Sequence, residues 1–201
     1  MTASSDTSSS SSDGEKCVRD ESYYRLQKAY CRYLTQSFSF AEMAIAELMI
    51  KRQNDANKTV IMDFDAVFAS EDSCTNYEMF TCAVNFVKDI KERYGKQIFI
   101  AIITARQDVS DLVKDLWMVG LTVGKNAMDH ITTILYDRTC IGTAGSKLRN
   151  RNMLRENGGT IIASIGDNVT DLVSDFETDM YADTLNILLP NIYRQLSFMN
   201  E

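Results

Sequence analysis

Six side chains able to do chemistry stand at intervals along the 201-residue sequence: Asp63, Asp65, Thr104, Lys147, Asp167 and Asp171. Carboxylates can attack an electrophile, move protons or hold a hard cation, a hydroxyl can donate a hydrogen bond, and a lysine can neutralise an anion. The first two sit in TVIMDFDAVF, Thr59 to Phe68. Thr59 to Met62 is a short buried-strand pattern, and Asp63 and Asp65 stand where that strand must end. In an open α/β sheet, ligands bind beyond the carboxyl ends of the strands, so acids there either form a working site or are solvated loop residues. Two acids two positions apart leave both readings open.

The elements that must position these side chains follow from apolar periodicity. Residues 1–15 are serine-dominated with no large apolar residue after Met1, so a disordered tail is expected. From Val18 to Arg52, apolar residues recur at three- and four-residue steps (Tyr24, Leu26, Tyr30 and Tyr33, then Phe40, Met43, Leu48 and Met49). This predicts two helices within a 16–57 segment packed on or beside the core. Ser37 to Ser39 is the expected break, and Ser39 with Glu42 would form a capping box. Residues 58–201 then read as the core. A polar loop follows Phe68, then a helix from Tyr77 to Arg93, a strand from Gln97 to Ile103 ending at Thr104, and a helix from Val109 to Val119. Met128 to Asp137 reads as a strand, Lys147 as the start of a helix reaching Glu156, Thr160 to Ile165 as a strand running into Gly166 and Asp167, and Leu185 to Pro190 as an edge strand. Strands alternating with helices of this length predict a parallel, doubly wound Rossmann-like α/β sheet covered on both faces. Only about ten residues separate the first strand from the next helix, which leaves no room for a large cap there.

Composition narrows the function classes. A net charge of −7 argues against a nucleic-acid surface. No apolar run approaches the roughly 20 residues that span a bilayer, and no apolar signal-peptide core is seen, so a soluble cytoplasmic protein is expected. The five cysteines (Cys17, Cys31, Cys74, Cys82, Cys140) are odd in number with no close pair, which fits reduced thiols. His130, the one histidine, sits between apolar residues and reads as structural.

Taken in order, the six residues form a pattern that resembles the haloacid-dehalogenase-like superfamily of phosphotransfer enzymes, over roughly residues 25–195. DFDAV fits its D-x-D-x-T/V motif, Thr104 its second-strand Ser or Thr, Lys147 its later lysine, and GDNVTD its closing G-D-x-x-x-D. The details are similar to the plant acid phosphatase and class B acid phosphatase branch (subfamily IIIB): ITARQD stands for an ITGR-like string, Lys147 and Arg151 fit K-x-x-x-R, and LLPN resembles a closing L-P-N. The sequence departs from that branch at Ala66 and Val67, where D-x-D-E-T is usual, and at Ala105, where glycine is usual.

The resemblance implies a Mg²⁺-dependent phosphomonoesterase with little or no cap, acting on a small or macromolecular phosphate ester. Asp63 would be the nucleophile that forms an aspartyl-phosphate, and Asp65 the acid and base for the leaving group and the water. Thr104, Ala105 and Lys147 would bind the phosphoryl group. Mg²⁺ would sit on Asp63, Asp167 and the backbone carbonyl of Asp65, with Asp171 and Arg151 in support. Arg106 reads equally as a substrate contact or a surface residue. Two alternatives stay open: a catalytically silent binding protein that keeps the fold, and a phosphotransferase or protein phosphatase built on the same residues. No membrane or nucleic-acid partner is expected, and oligomeric state is not legible.

Overall fold

The structure, a computed structural model, describes residues 21–69, 79–126, 129–136, 143–172 and 184–189. In chain order the elements are α1 (Glu21–Lys51), β1 (Lys58–Met62), α2 (Thr81–Tyr94), β2 (Ile98–Ile103), α3 (Ser110–Met118), β3 (Thr133–Leu135), α4 (Thr143–Glu156), β4 (Thr160–Gly166), α5 (Val169–Leu172) and β5 (Leu185–Leu188).

Among the described residues, five strands form one all-parallel sheet in the order β3-β2-β1-β4-β5. Every residue of β1 is buried, as a central strand covered on two faces requires. Chain order runs outward from β1 through β2 to β3, then crosses to β4 and β5, so the reversal falls between β1 and β4. That is where an open α/β sheet presents its ligand crevice. The mixed α/β class and the parallel sheet expected from the sequence are both present, with β5 at an edge.

Alternation along the strands divides the core in two. Val60, Met62, Ile98, Ile100, Ile102 and Ile165 lie in the larger cluster together with the buried faces of α1, α2 and α3. Ile61, Ile103 and Ile161 form a smaller cluster beneath Leu135 and, from α4, Leu154.

One expectation is overturned at the N-terminal segment. It is a single helix of 31 residues, not two. The buried stripe is Tyr30, Leu34, Phe38, Ala41, Ile45 and Met49, which continues straight through Ser37 to Ser39, while Tyr24, Tyr33, Phe40 and Met43 are 54%, 43%, 56% and 62% exposed. Phe38 stacks on Phe86 of α2 with ring centroids 4.9 Å apart. Burying Leu34 and Phe38 contributes about 1.5–3 kcal/mol each. A serine inside a helix costs about 0.5 kcal/mol relative to alanine, so packing decides.

Smaller corrections follow. Helix α2 begins at Thr81 instead of Tyr77, although its buried residues Ala83, Val84, Phe86, Val87 and Ile90 include most of the expected inner face. Strand β3 is three residues long, shorter than the expected Met128 to Asp137, whose two end residues lie outside the described residues. Helix α4 begins at Thr143, so Lys147 stands in its second turn and not at its start. The serine-rich tail, the polar loop at residues 70–78, Arg138, Pro190 and Asn191 lie outside the described residues. Among the described residues, no helix is long and apolar enough to cross a membrane.

Candidate active site

Asp63 is the first residue past β1. Its backbone N–H donates to the Ile165 carbonyl at 2.9 Å, extending the sheet pairing by one step and aligning it with the end of β4. Its side chain is 6% exposed. The chain then turns sharply: the Phe68 N–H donates to Phe64 O at 2.8 Å and the Ala66 N–H to Ala69 O at 2.8 Å. Ala66 has φ +57°, a left-handed conformation that costs an alanine about 1–2 kcal/mol. Two features hold it there. The Tyr30 hydroxyl of α1 donates to the Ala66 carbonyl at 2.7 Å, and Phe64, Val67 and Phe68 are fully buried. Helix α1 is thus the clamp on the aspartate turn.

Lys147 reaches Asp63 from α4. Its ammonium is 3.0 Å from Asp63 Oδ2 and also donates to Asp171 Oδ1, with all three side chains almost wholly buried. The other Asp171 oxygen accepts the Asn168 N–H at 2.8 Å, which fixes the turn after β4. Gly166 permits this: a Cβ at that position would overlap the Asp171 side chain. The carboxylates of Asp63, Asp167 and Asp171 each bring an oxygen within 4.8 Å of the others.

Electrostatics in this cluster is unbalanced. Burial pushes the Asp63 carboxyl well above the usual carboxylate range; Lys147 pulls it down, and Asp171 and Asp167 add to the rise. Burial alone would lower Lys147, but Asp63 and Asp171 more than offset it and hold its ammonium above the ordinary value. Asp63 and Asp171 together carry one negative charge more than the Lys147 ammonium balances when both are ionised, and the Asp167 carboxylate stands beside them. The Oδ1 atom of Asp63 is buried with no hydrogen-bond partner. A buried carboxylate oxygen without a donor is costly, and a hard divalent cation on carboxylate oxygens would satisfy both the orphaned atom and the charge. The residues therefore fit a hard divalent cation.

The remaining predicted residues divide. Thr104 is fully buried at the end of β2, and its hydroxyl accepts the Arg106 N–H at 3.2 Å; Ala105 beside it is half-buried. Asp65 does not join the acid cluster. Its two oxygens accept a fork of bonds from Arg106, one at 3.1 Å from Nε, and the guanidinium lies over the Phe64 ring with 5.0 Å to its centroid. Arg151, one helical turn past Lys147, is 1% exposed and donates to Ser164 Oγ of β4 at 3.0 Å, tying α4 to the sheet. His130 accepts the Thr122 N–H at 3.2 Å, a loop-pinning contact.

Sequence reasoning missed the role of Tyr30, read there as one of a packing stripe, and left Arg106 undecided. The signal for Arg106 was an arginine and an aspartate each three residues past the ends of neighbouring strands. A separate groove of about 710 Å³ between α1 and α2, lined by Cys31, Phe38, Glu42, Cys82 and Asp89 among others, contains none of the six residues.

The fold and the crevice define an α/β protein with a parallel sheet and a buried acidic cluster at its topological switch point. No protein-family model matches the sequence, and no curated protein matches it.

Proposed function

We propose that the protein is a Mg²⁺-dependent phosphomonoesterase of the haloacid-dehalogenase-like type, acid phosphatase-like in its motifs and working through an aspartyl-phosphate on Asp63. The observation that carries this reading is the state of Asp63: one oxygen held by Lys147, the other buried and unpartnered, and two further carboxylates alongside. Asp63, Asp167 and Asp171 are the residues whose carboxylates would hold Mg²⁺. When bound, the ion supplies positive charge that offsets repulsion between these carboxylates and a phosphate ester.

The chain's own residues then do the following. A carboxylate oxygen of Asp63 attacks phosphorus as the ester P–O bond breaks, and Asp65 gives a proton to the leaving oxygen. Water next attacks the aspartyl-phosphate, its proton passes to Asp65, and inorganic phosphate leaves as the Asp63 carboxylate is restored. Lys147 neutralises charge on the phosphoryl group throughout, and the Thr104 hydroxyl donates to one of its oxygens.

Phosphate release from an aryl phosphate, with Mg²⁺ and with a chelator, tests the reading. Release that needs Mg²⁺ and falls to background in Asp63→Asn is expected. Activity surviving Asp63→Asn removes Asp63 as nucleophile.

A further inference from the structure

The bidentate ion pair between Asp65 and Arg106 occupies both oxygens of the residue assigned to acid and base chemistry, at the rim of the crevice. The two side chains are 25% and 21% exposed, so water and solutes reach the pair. A part-exposed ion pair is held weakly enough to exchange partners. A guanidinium fork matches phosphate oxygens as well as it matches a carboxylate, and a phosphate monoester near neutral pH carries close to two charges against the carboxylate's one.

We propose that Arg106 is a substrate-binding residue that exchanges Asp65 for the phosphoryl group of a phosphate monoester, so that occupancy of the site releases Asp65. This rests on the phosphomonoesterase reading. Arg106 stands where the exchange requires. Its backbone N–H is bonded to the Thr104 hydroxyl, which places it next to a residue assigned to the phosphoryl group. Its guanidinium lies over Phe64, the residue between Asp63 and Asp65, which gives it a platform to swing on without leaving the crevice. The empty site keeps Asp65 turned to Arg106; the loaded site has Arg106 on phosphate and both Asp65 oxygens free for the leaving group and water. The fork also selects. Monoesters present several terminal oxygens and close to two charges, whereas diesters and sulfate esters offer a single charge and bind Arg106 less well.

The test is a double-mutant cycle read as binding of inorganic phosphate to the full chain with Mg²⁺ present, by calorimetry, for wild type, Arg106→Ala, Asp65→Asn and the double variant, with circular dichroism as the folding control. Arg106→Ala is expected to weaken phosphate binding about 10- to 100-fold. Arg106→Lys, which keeps the charge without the fork, should fall between and serves should the alanine variant not fold. Asp65→Asn removes the competitor and should tighten phosphate binding. That gain must be clearly smaller in the Arg106→Ala background, where only general charge relief remains. An equal gain in both backgrounds, or unchanged phosphate affinity in Arg106→Ala, overturns the exchange in a protein that still hydrolyses aryl phosphate. A wild type that neither hydrolyses aryl phosphate nor binds phosphate overturns the phosphomonoesterase reading itself, and the exchange with it.

Discussion

The Lys147 ammonium lies 3.0 Å from Asp63 Oδ2 while also bridging to Asp171, so one buried cation holds two buried carboxylates, one just past β1 and the other in α5 after β4. Removing one partner of a buried pair costs about 3–5 kcal/mol, because the charge left behind is unpaired. Lys147→Met is therefore expected to lower unfolding free energy by about that amount in metal-free protein. Asp63→Asn should behave oppositely. It removes a desolvated carboxylate and leaves Lys147 on Asp171, so stability should hold to within about 1 kcal/mol while the proposed phosphatase activity disappears. Denaturant titrations of both variants decide this, and an Asp63→Asn chain less stable than Lys147→Met contradicts it.

The turn that follows Asp63 is hydrogen-bonded to α1 through the Tyr30 hydroxyl. Tyr30→Phe leaves the Ala66 carbonyl without its 2.7 Å donor and should cost about 1–2 kcal/mol. Ala66→Gly relieves the positive φ and should stabilise the chain by up to about 1 kcal/mol. Opposite signs are expected in thermal melts of the two variants. Tyr30→Phe should also lower turnover, since the same turn carries Asp63 and Asp65.

Ser39 distinguishes the predicted break from the observed continuous helix. An N-cap serine replaced by alanine costs about 1 kcal/mol, whereas an exposed serine inside a helix replaced by alanine gains about 0.5 kcal/mol. Ser39 is exposed in the interior of α1, so Ser39→Ala is expected to raise the melting temperature. A loss of stability would restore two helices.

That error shows where the sequence was legible. The strands were readable because Val60, Ile61 and Met62, or Ile98 to Ile103, are runs that only a covered sheet buries, and the positions just past their ends fell out directly. Helix α1 was misphased because it carries two apolar stripes. Tyr33, Phe40 and Met43 recur at whole-turn helical steps just as Leu34, Phe38 and Ala41 do, and only packing against α2 tells them apart. Helix α4 hid its start for the reverse reason. Its buried face includes Ser146, Lys147, Asn150 and Arg151, so no apolar periodicity marks it. The Asp65–Arg106 pair depends on the turn after Asp63, whose left-handed Ala66 no residue type announced.

Gly166→Ala should act on the acid cluster without touching a charge. The added Cβ would overlap Asp171, which must then leave Lys147 and the Asn168 N–H. Overpacking of this kind costs about 1–3 kcal/mol. The thermal shift given by Mg²⁺ should shrink as well, because one of the three carboxylates has moved. A variant that is destabilised yet keeps the full Mg²⁺ shift would show that Asp171 does not serve the ion.

Asp63 also makes a prediction about pH. Its folded-state proton affinity is raised, chiefly by burial, so the metal-free folded chain keeps a proton that the unfolded chain gives up near the ordinary carboxylate value of about 4. The native state then binds more protons, and stability falls as pH rises. The Asp63 contribution is fully present below the unfolded value and is lost as pH climbs through the folded one. Mg²⁺ bound as proposed would take the ionised carboxylate, so its stabilising shift should grow over the same interval in which metal-free stability declines. Melts across acidic to neutral pH, with Mg²⁺ and with chelator, should diverge on raising pH in the wild type. In Asp63→Asn the divergence should be much reduced. Curves that stay parallel in the wild type would show that the ion does not draw on Asp63.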